Sequence, residues 1–320
     1  MLMGGLGESR SHESRQVVRA ALANNLAVVA AAVTVLLWAS AFVVIRFVGE
    51  SLSPGPMTVA RLGVGSVVLV IIALRYRRPL PRGKALLLVI GYGLVWFAGY
   101  TVLLNWAEQH LDAGTAALLV NFAPILVAVF AGLFMGEGFP RQLVIGILVA
   151  FSGVLLIALG GSGGSHNDKL GIILGLITAV LYAIGVLMQK VALRTVDAVT
   201  ATWVGCLAGL LATLPFAPQA VSELSEASAG AIAGVVFLGV GPTAIAFLTW
   251  AYALSRTDAG KMAATTLAVP AIAIVLSWVF LGEVPTLLGL IGGAMALAGV
   301  AISRRRGRVR PQSPEPAVTS

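Results

Sequence analysis

The sequence predicts an all-α, polytopic membrane protein whose ten transmembrane helices form two inverted five-helix repeats. Three observations carry that expectation. The 320-residue chain is 58% hydrophobic and only 11% charged, with mean hydropathy +0.97, whereas soluble domains carry about a quarter charged residues. Its apolar runs, such as "LAVVAAAVTVLLWASAFVVI", are long enough to cross a hydrocarbon core as helix. They do not alternate as barrel strands must. Finally, "DAGTAALLVNFAP" at 112–124 returns as "DAGKMAATTLAVP" at 258–270.

Residues 1–24 carry Glu8, Arg10, Glu13, Arg15 and Arg19 and read as a cytoplasmic, solvated tail. They lack the apolar core of a signal peptide. The first repeat, 25–160, holds spans at about 25–46, 56–74, 85–106, 113–135 and 142–160. A Gly/Ser-rich connector follows at 161–169, flexible by composition. The second repeat, 170–303, holds spans at about 170–189, 198–217, 229–250, 260–281 and 286–303. The basic, Pro-rich end "RRRGRVRPQSPEPAVTS" at 304–320 reads as a disordered tail.

The net charge of +8 is distributed by side. With the N-terminus in the cytoplasm, 18 of the 21 Lys and Arg fall in cytoplasmic segments. Lys169 alone falls outside, and Arg46 and Arg61 lie within spans. This asymmetry places both termini inside a plasma membrane, crossed many times. The basic tails then meet anionic lipid headgroups rather than nucleic acid.

The repeat extends well beyond its first echo. "LNWA" at 104–107 answers "LTWA" at 248–251, "FMGE" at 134–137 answers "FLGE" at 280–283, and Trp38–Arg46 aligns with Tyr182–Lys190. Five crossings end on the side opposite their start, so the second copy must be inverted. Inverted repeats recur in secondary transporters, with solute bound near the midplane between them.

An early "P…R", then "…NWA…DAGTAALLVNFAP…" and a closing "GE" in ten spans resemble the EamA family of the drug/metabolite transporter superfamily. The resemblance covers about residues 25–303. It implies a secondary transporter, in many cases an exporter, of small organic metabolites or drugs, working by alternating access in a cell's inner membrane. The second copy departs from the pattern: Val204 or Gly205 stands where Arg61 would align, and Leu267 replaces Asn121. A lipid or lipid-precursor flippase is the alternative within transport. A membrane enzyme would need a buried nucleophile, acid/base pair or metal cluster, and a structural membrane protein a soluble domain. Neither pattern is found, and no cofactor or metal is expected.

Within the spans, a few residues could contact a small-molecule solute. Tyr92, Trp96 and Tyr100 recur every fourth residue, which puts them on one helix face, as cavity wall or as packing. Trp38 and its repeat-mate Tyr182 raise the same alternatives. Asn121 lies near mid-span, with Thr266 in the corresponding region of the second copy, and either can bind solute or tie helices together. Asn105 is nearer the edge. Arg61 either faces the cavity, as intramembrane charges usually do, or snorkels to the boundary. Pro124 and Pro270 interrupt their spans as packing kinks or as hinges. Asp112 and Asp258 read as N-caps. No carboxylate is expected at mid-span, which argues against a midplane proton relay. An edge carboxylate such as Glu108 is the better candidate for coupling. Repeated GxxxG spacings, Gly289–Gly293 among them, fit close helix packing or a homodimer, so monomer and dimer both stay open.

Overall fold

The computed structural model describes residues 5–134, 141–160, 169–256, 262, 265–283 and 286–303. Every regular element among them is helical. In chain order these are α1 (Gly5–Val48), α2 (Pro54–Tyr76), α3 (Lys84–His110), α4 (Ala113–Val120), α5 (Ala123–Phe134) and α6 (Arg141–Gly160). They continue as α7 (Lys169–Ala192), α8 (Ala198–Glu226), α9 (Ala229–Arg256), α10 (Ala268–Leu281) and α11 (Leu287–Ser303). Six helices are long and apolar enough to cross a membrane, and four apolar stretches are shorter. The chain is therefore a multi-pass membrane protein, and side chains such as Val67, Leu87, Phe151 and Phe280 point outward as its apolar surface.

Helix ends follow local chemistry. Pro54 opens α2, where a missing N–H leaves no bond unmade. Asp112 caps α4 as expected, accepting from Thr115 N at 2.8 Å and Thr115 Oγ1 at 2.7 Å. Asp197 and Ser228 cap α8 and α9 in the same way. Asp258 and the connector residues 161–168 lie outside the described residues. The expected N-terminal tail differs in one respect: α1 already begins at Gly5, because 5–24 is rich in Ala, Leu, Arg, Glu and Gln and free of proline.

Both span prolines act as breaks. The expected span 113–135 is two helices with a turn at Asn121–Phe122, and Pro124 sits in the first turn of α5. Pro270 likewise sits in the first turn of α10. The Thr266 carbonyl that Pro270 leaves without its usual donor accepts from Val269 N at 3.0 Å.

Two helices carry π stretches, Gly93–Tyr100 in α3 and Gly239–Ile245 in α9. Each is the site of a close backbone approach. A Cβ on Gly93 would overlap the Gly205 carbonyl of α8, and one on Gly239 would come within 2.8 Å of the Arg61 carbonyl of α2. α1 packs on α9 and α10, α2 on α8 and α9, and α3 on α7 and α8. α4 packs on α7 and α10. At one flank α6 and α11 pack along their length, where a Cβ on Gly153 would overlap the Gly292 carbonyl. The bundle interior is left to α1–α4, α7, α9 and the start of α10.

Candidate functional site

That interior holds a cavity of about 40 Å³. α1 contributes Trp38, Phe42 and Ile45, α2 Arg61, and α3 Trp96, Phe97, Tyr100, Thr101 and Leu104. Val120, Asn121 and Pro124 come from the α4–α5 break, Tyr182 from α7, Thr243 and Phe247 from α9, and Thr266 and Val269 from the α10 entry. The broken spans thus deliver irregular backbone to a cavity, the setting in which membrane proteins tolerate it.

Aromatic rings supply seven of the 18 residues in the wall. Trp38 stands 6.2 Å from Trp96, 6.1 Å from Tyr182, 5.5 Å from Phe247 and 5.0 Å from Trp250, centroid to centroid. Trp96 lies 5.1 Å from both Tyr182 and Phe247, edge to face in each case. These are the favoured tilted and T-shaped arrangements, and they lock the rings. Trp38 is further held by donating Nε1–H to the Pro242 carbonyl at 3.3 Å.

Polar groups in this wall are few, and three keep a free valence. Arg61 is 5% exposed and donates Nε–H to Thr243 Oγ1 at 3.2 Å, while its Nη1 has no partner among the described residues. Asn121 donates Nδ2–H to the Ala117 carbonyl at 3.1 Å and leaves Oδ1 unbonded. Trp96 Nε1–H is also without an acceptor among the described residues. Buried polar groups are normally satisfied, so two donors and one acceptor without partners among the described residues make this cavity the candidate site. Snorkelling is ruled out for Arg61, which is wholly interior.

Of the ten residues singled out from sequence, Trp38, Arg61, Trp96, Tyr100, Asn121, Pro124, Tyr182 and Thr266 meet in this cavity. Tyr92 and Pro270 do not line it. Tyr92 is fully buried behind the wall, its ring against Gly205 and its hydroxyl accepting from Gln189 Nε2 at 2.9 Å. The fourfold spacing that grouped it with Trp96 assumes an α-helix, and the π stretch begins between them. Sequence reading missed Phe42, Phe97, Thr243 and Phe247. Following the echo from Phe97 to Thr243, one position after Trp96 and its mate Pro242, would have found the Arg61 partner.

Glu108 lies in the last turn of α3, at the span edge read from sequence, and it is 1% exposed there. Asn105, one turn earlier, donates Nδ2–H to Thr58 Oγ1 at 2.9 Å and so ties α3 to α2. Beyond Glu108, Arg46 Nε donates to Glu283 Oε1 at 2.9 Å, joining α1 to the α10–α11 connection. Among the described residues no cluster of three His, Cys, Asp or Glu could hold a metal ion.

Comparison with known proteins agrees with this architecture. The EamA-like transporter family model matches the chain twice, at residues 25–159 and 169–305. A probable terminal-alkyne amino-acid exporter of Streptantibioticus cattleyicolor is 36% identical over 282 residues, covering 88% of this chain and 94% of that protein. The uncharacterized transporter YdfC of Bacillus subtilis is 33% identical over 267 residues, 83% of this chain and 87% of its own length. A probable amino-acid metabolite efflux pump of Salmonella typhimurium is 26% identical over 290 residues, 88% and 95% of the two chains. A solved crystal structure shares the fold with a TM-score of 0.62 at 21% identity, over 87% of this chain and 96% of its own. Matched by the family model over both halves and by an exporter at 36% identity over most of its length, the chain belongs to the EamA-like transporter family, a family of transporters.

Proposed function

We propose that the chain exports small zwitterionic solutes, amino acids with apolar or aromatic side chains, across the cytoplasmic membrane by alternating access. The carrying observation is the set of free polar groups in the aromatic cavity. Arg61 Nη1 and Trp96 Nε1–H suit a carboxylate, and Asn121 Oδ1 accepts from an ammonium group. The faces of Trp38 and Tyr182 add a cation–π surface for the same ammonium. Two relatives, named for a terminal-alkyne amino acid and for amino-acid metabolites, support that substrate class.

Ten spans in two inverted halves account for several paired features. The π stretches of α3 and α9 begin at Gly93 and Gly239, and each meets the second span of the other half: Gly93 the Gly205 backbone, Gly239 the Arg61 carbonyl. Arg46 Nη1 reaches the Glu108 carbonyl at 3.5 Å, while its mate Lys190 donates to the Leu254 carbonyl at 2.7 Å. Arg61 and Gly205 are thus counterparts, so the solute-binding charge belongs to one half alone. The cavity, about 40 Å³, has room for only a few water molecules at roughly 10–15 Å³ each. An amino acid can enter only if helices separate, and the charged networks at Arg46 and Lys190 mark the two ends that part in turn. Cytoplasmic termini follow from the concentration of Lys and Arg in the tails and in the α2–α3 loop.

The test is exchange of radiolabelled L-phenylalanine in liposomes of phosphatidylethanolamine and phosphatidylglycerol containing the purified full chain. L-Leucine and L-norvaline should compete, whereas phenylalaninamide and 3-phenylpropionate, each missing one charge, should not. Equal competition by both single-charge analogues would sink the zwitterion reading.

A further inference from the structure

Glu108 borders the cavity through Leu104, one turn earlier on α3, and through Arg61, which lies within its electrostatic reach. Neither of its carboxyl oxygens has a hydrogen-bond partner among the described residues. Four charged groups act on it: Arg46 from α1, Arg61 from α2, Asp112 at the start of α4 and Glu283 after α10. Tyr100 of α3 shares the field of Arg61 and Glu108 and carries no charge as a phenol. Three of the four are engaged elsewhere, and Arg61, bonded through Nε alone, keeps Nη1 for the solute carboxylate. Arg46 is bonded to Glu283, whose second oxygen accepts from Ser277 Oγ at 2.9 Å and Ala113 N at 3.3 Å. Asp112 is spent on its cap.

Two cations and two anions already balance in this cluster. An ionised Glu108 would add one uncompensated charge within the bundle, and removing such a charge from water is strongly unfavourable. A water molecule could donate a hydrogen bond to it but could not supply the missing positive charge. Only a proton or an incoming cationic group restores neutrality.

We infer that Glu108 is the carrier's proton-binding site, where a proton and the solute's ammonium group take turns on the same carboxyl. This rests on the zwitterion reading above. With Arg61 holding the solute carboxylate, the ammonium displaces the proton from Glu108, and that proton leaves to the side on which the cavity is open. When the solute departs on the other side, a proton from that side replaces it. One proton therefore travels opposite to each zwitterion, and each cycle moves one net positive charge.

Two measurements on the full-length protein decide this. Infrared titration should show a protonated-carboxyl C=O band in wild type that disappears at alkaline pH and is missing in Glu108→Gln. Glu108→Asp should keep the band at a shifted frequency, which preserves the assignment if the Gln variant does not fold. A band unchanged in both variants overturns the proposal. In liposomes, L-phenylalanine should accumulate against a pH gradient by about tenfold per pH unit at one proton per solute. Glu108→Gln should abolish that accumulation while phenylalanine–phenylalanine exchange persists at raised KM. Protons moving with the solute rather than against it would also overturn the proposal. If wild type moves no phenylalanine, leucine or norvaline, the zwitterion reading fails, and the infrared arm still decides whether Glu108 carries a proton.

Discussion

Trp96 combines two roles that a substitution can separate. Its ring sits among Trp38, Tyr182 and Phe247, while its Nε1–H is a buried donor with no acceptor among the described residues. Trp96→Phe keeps an apolar ring in the wall and removes the donor. A hydrogen bond to a carboxylate contributes about 1.5–3 kcal/mol, so competition assays should give roughly a tenfold or greater rise in the half-saturating concentration of L-phenylalanine. The thermal melt of the detergent-purified protein should move little. A variant with unchanged affinity would place Nε1–H outside the binding surface. Arg61 was legible at this scale as an intramembrane charge, and Asn121 as a polar position absent from the second copy. Thr243 was not, because a threonine in an apolar span is ordinary until its arginine partner is known.

Individual helices show where sequence periodicity succeeds and where it misleads. The Asp112 cap and the interruption at Pro124 could be read directly, since each depends on its own few residues. The place of Tyr92 could not, because no residue pattern announces the π stretch at Gly93–Tyr100, and Tyr92 ends outside the cavity wall with its ring 5.8 Å from Trp96, edge to face. The burial of Glu108 at its span edge was not legible for a related reason: it depends on packing by α1, α2 and α4 rather than on the residues around it. Glycines provide the test at this scale. Gly153→Leu forces α6 off the Gly292 backbone and should destabilise the protein by about 1–3 kcal/mol, the usual effect of overpacking. Gly63→Ala, with nothing within 4 Å of the added carbon, should be neutral or stabilising. Thermal melts of the two variants in one detergent check both outcomes.

Across the whole molecule, the outer closure and the orientation are open to direct measurement. Arg46 and Glu283 are partly buried and paired, so Arg46→Gln and Glu283→Gln should not be additive. A coupling of roughly 0.5–3 kcal/mol is expected between contacting charges, read from a double-mutant cycle of thermal stability. Each single variant should also raise the reactivity of a thiol introduced at Asn121 toward a membrane-impermeant maleimide. Orientation is tested in a Cys206→Ser background, which removes the chain's only cysteine. Ser51→Cys should label in intact cells, and Arg82→Cys only after permeabilisation. The reverse pattern would invert the topology drawn from Lys and Arg. The repeat was visible in sequence because both copies keep the same Asp-Ala-Gly and proline pattern. What each copy does with its inner face was not, since that depends on which neighbour it meets.

The contact of α6 with α11 has a mechanical meaning. Backbones meeting at Gly153 and Gly292 leave no side chains to slide past one another, so this flank behaves as the spine of a book. α1 and α10, beside the cavity, have no glycine in 25–48 or 268–281 and meet through side chains. Opening must then be a swing about the spine, with displacement growing with distance from it. Spin labels straddling α6 and α11 should keep one separation through the transport cycle, while labels straddling α1 and α10 should show two.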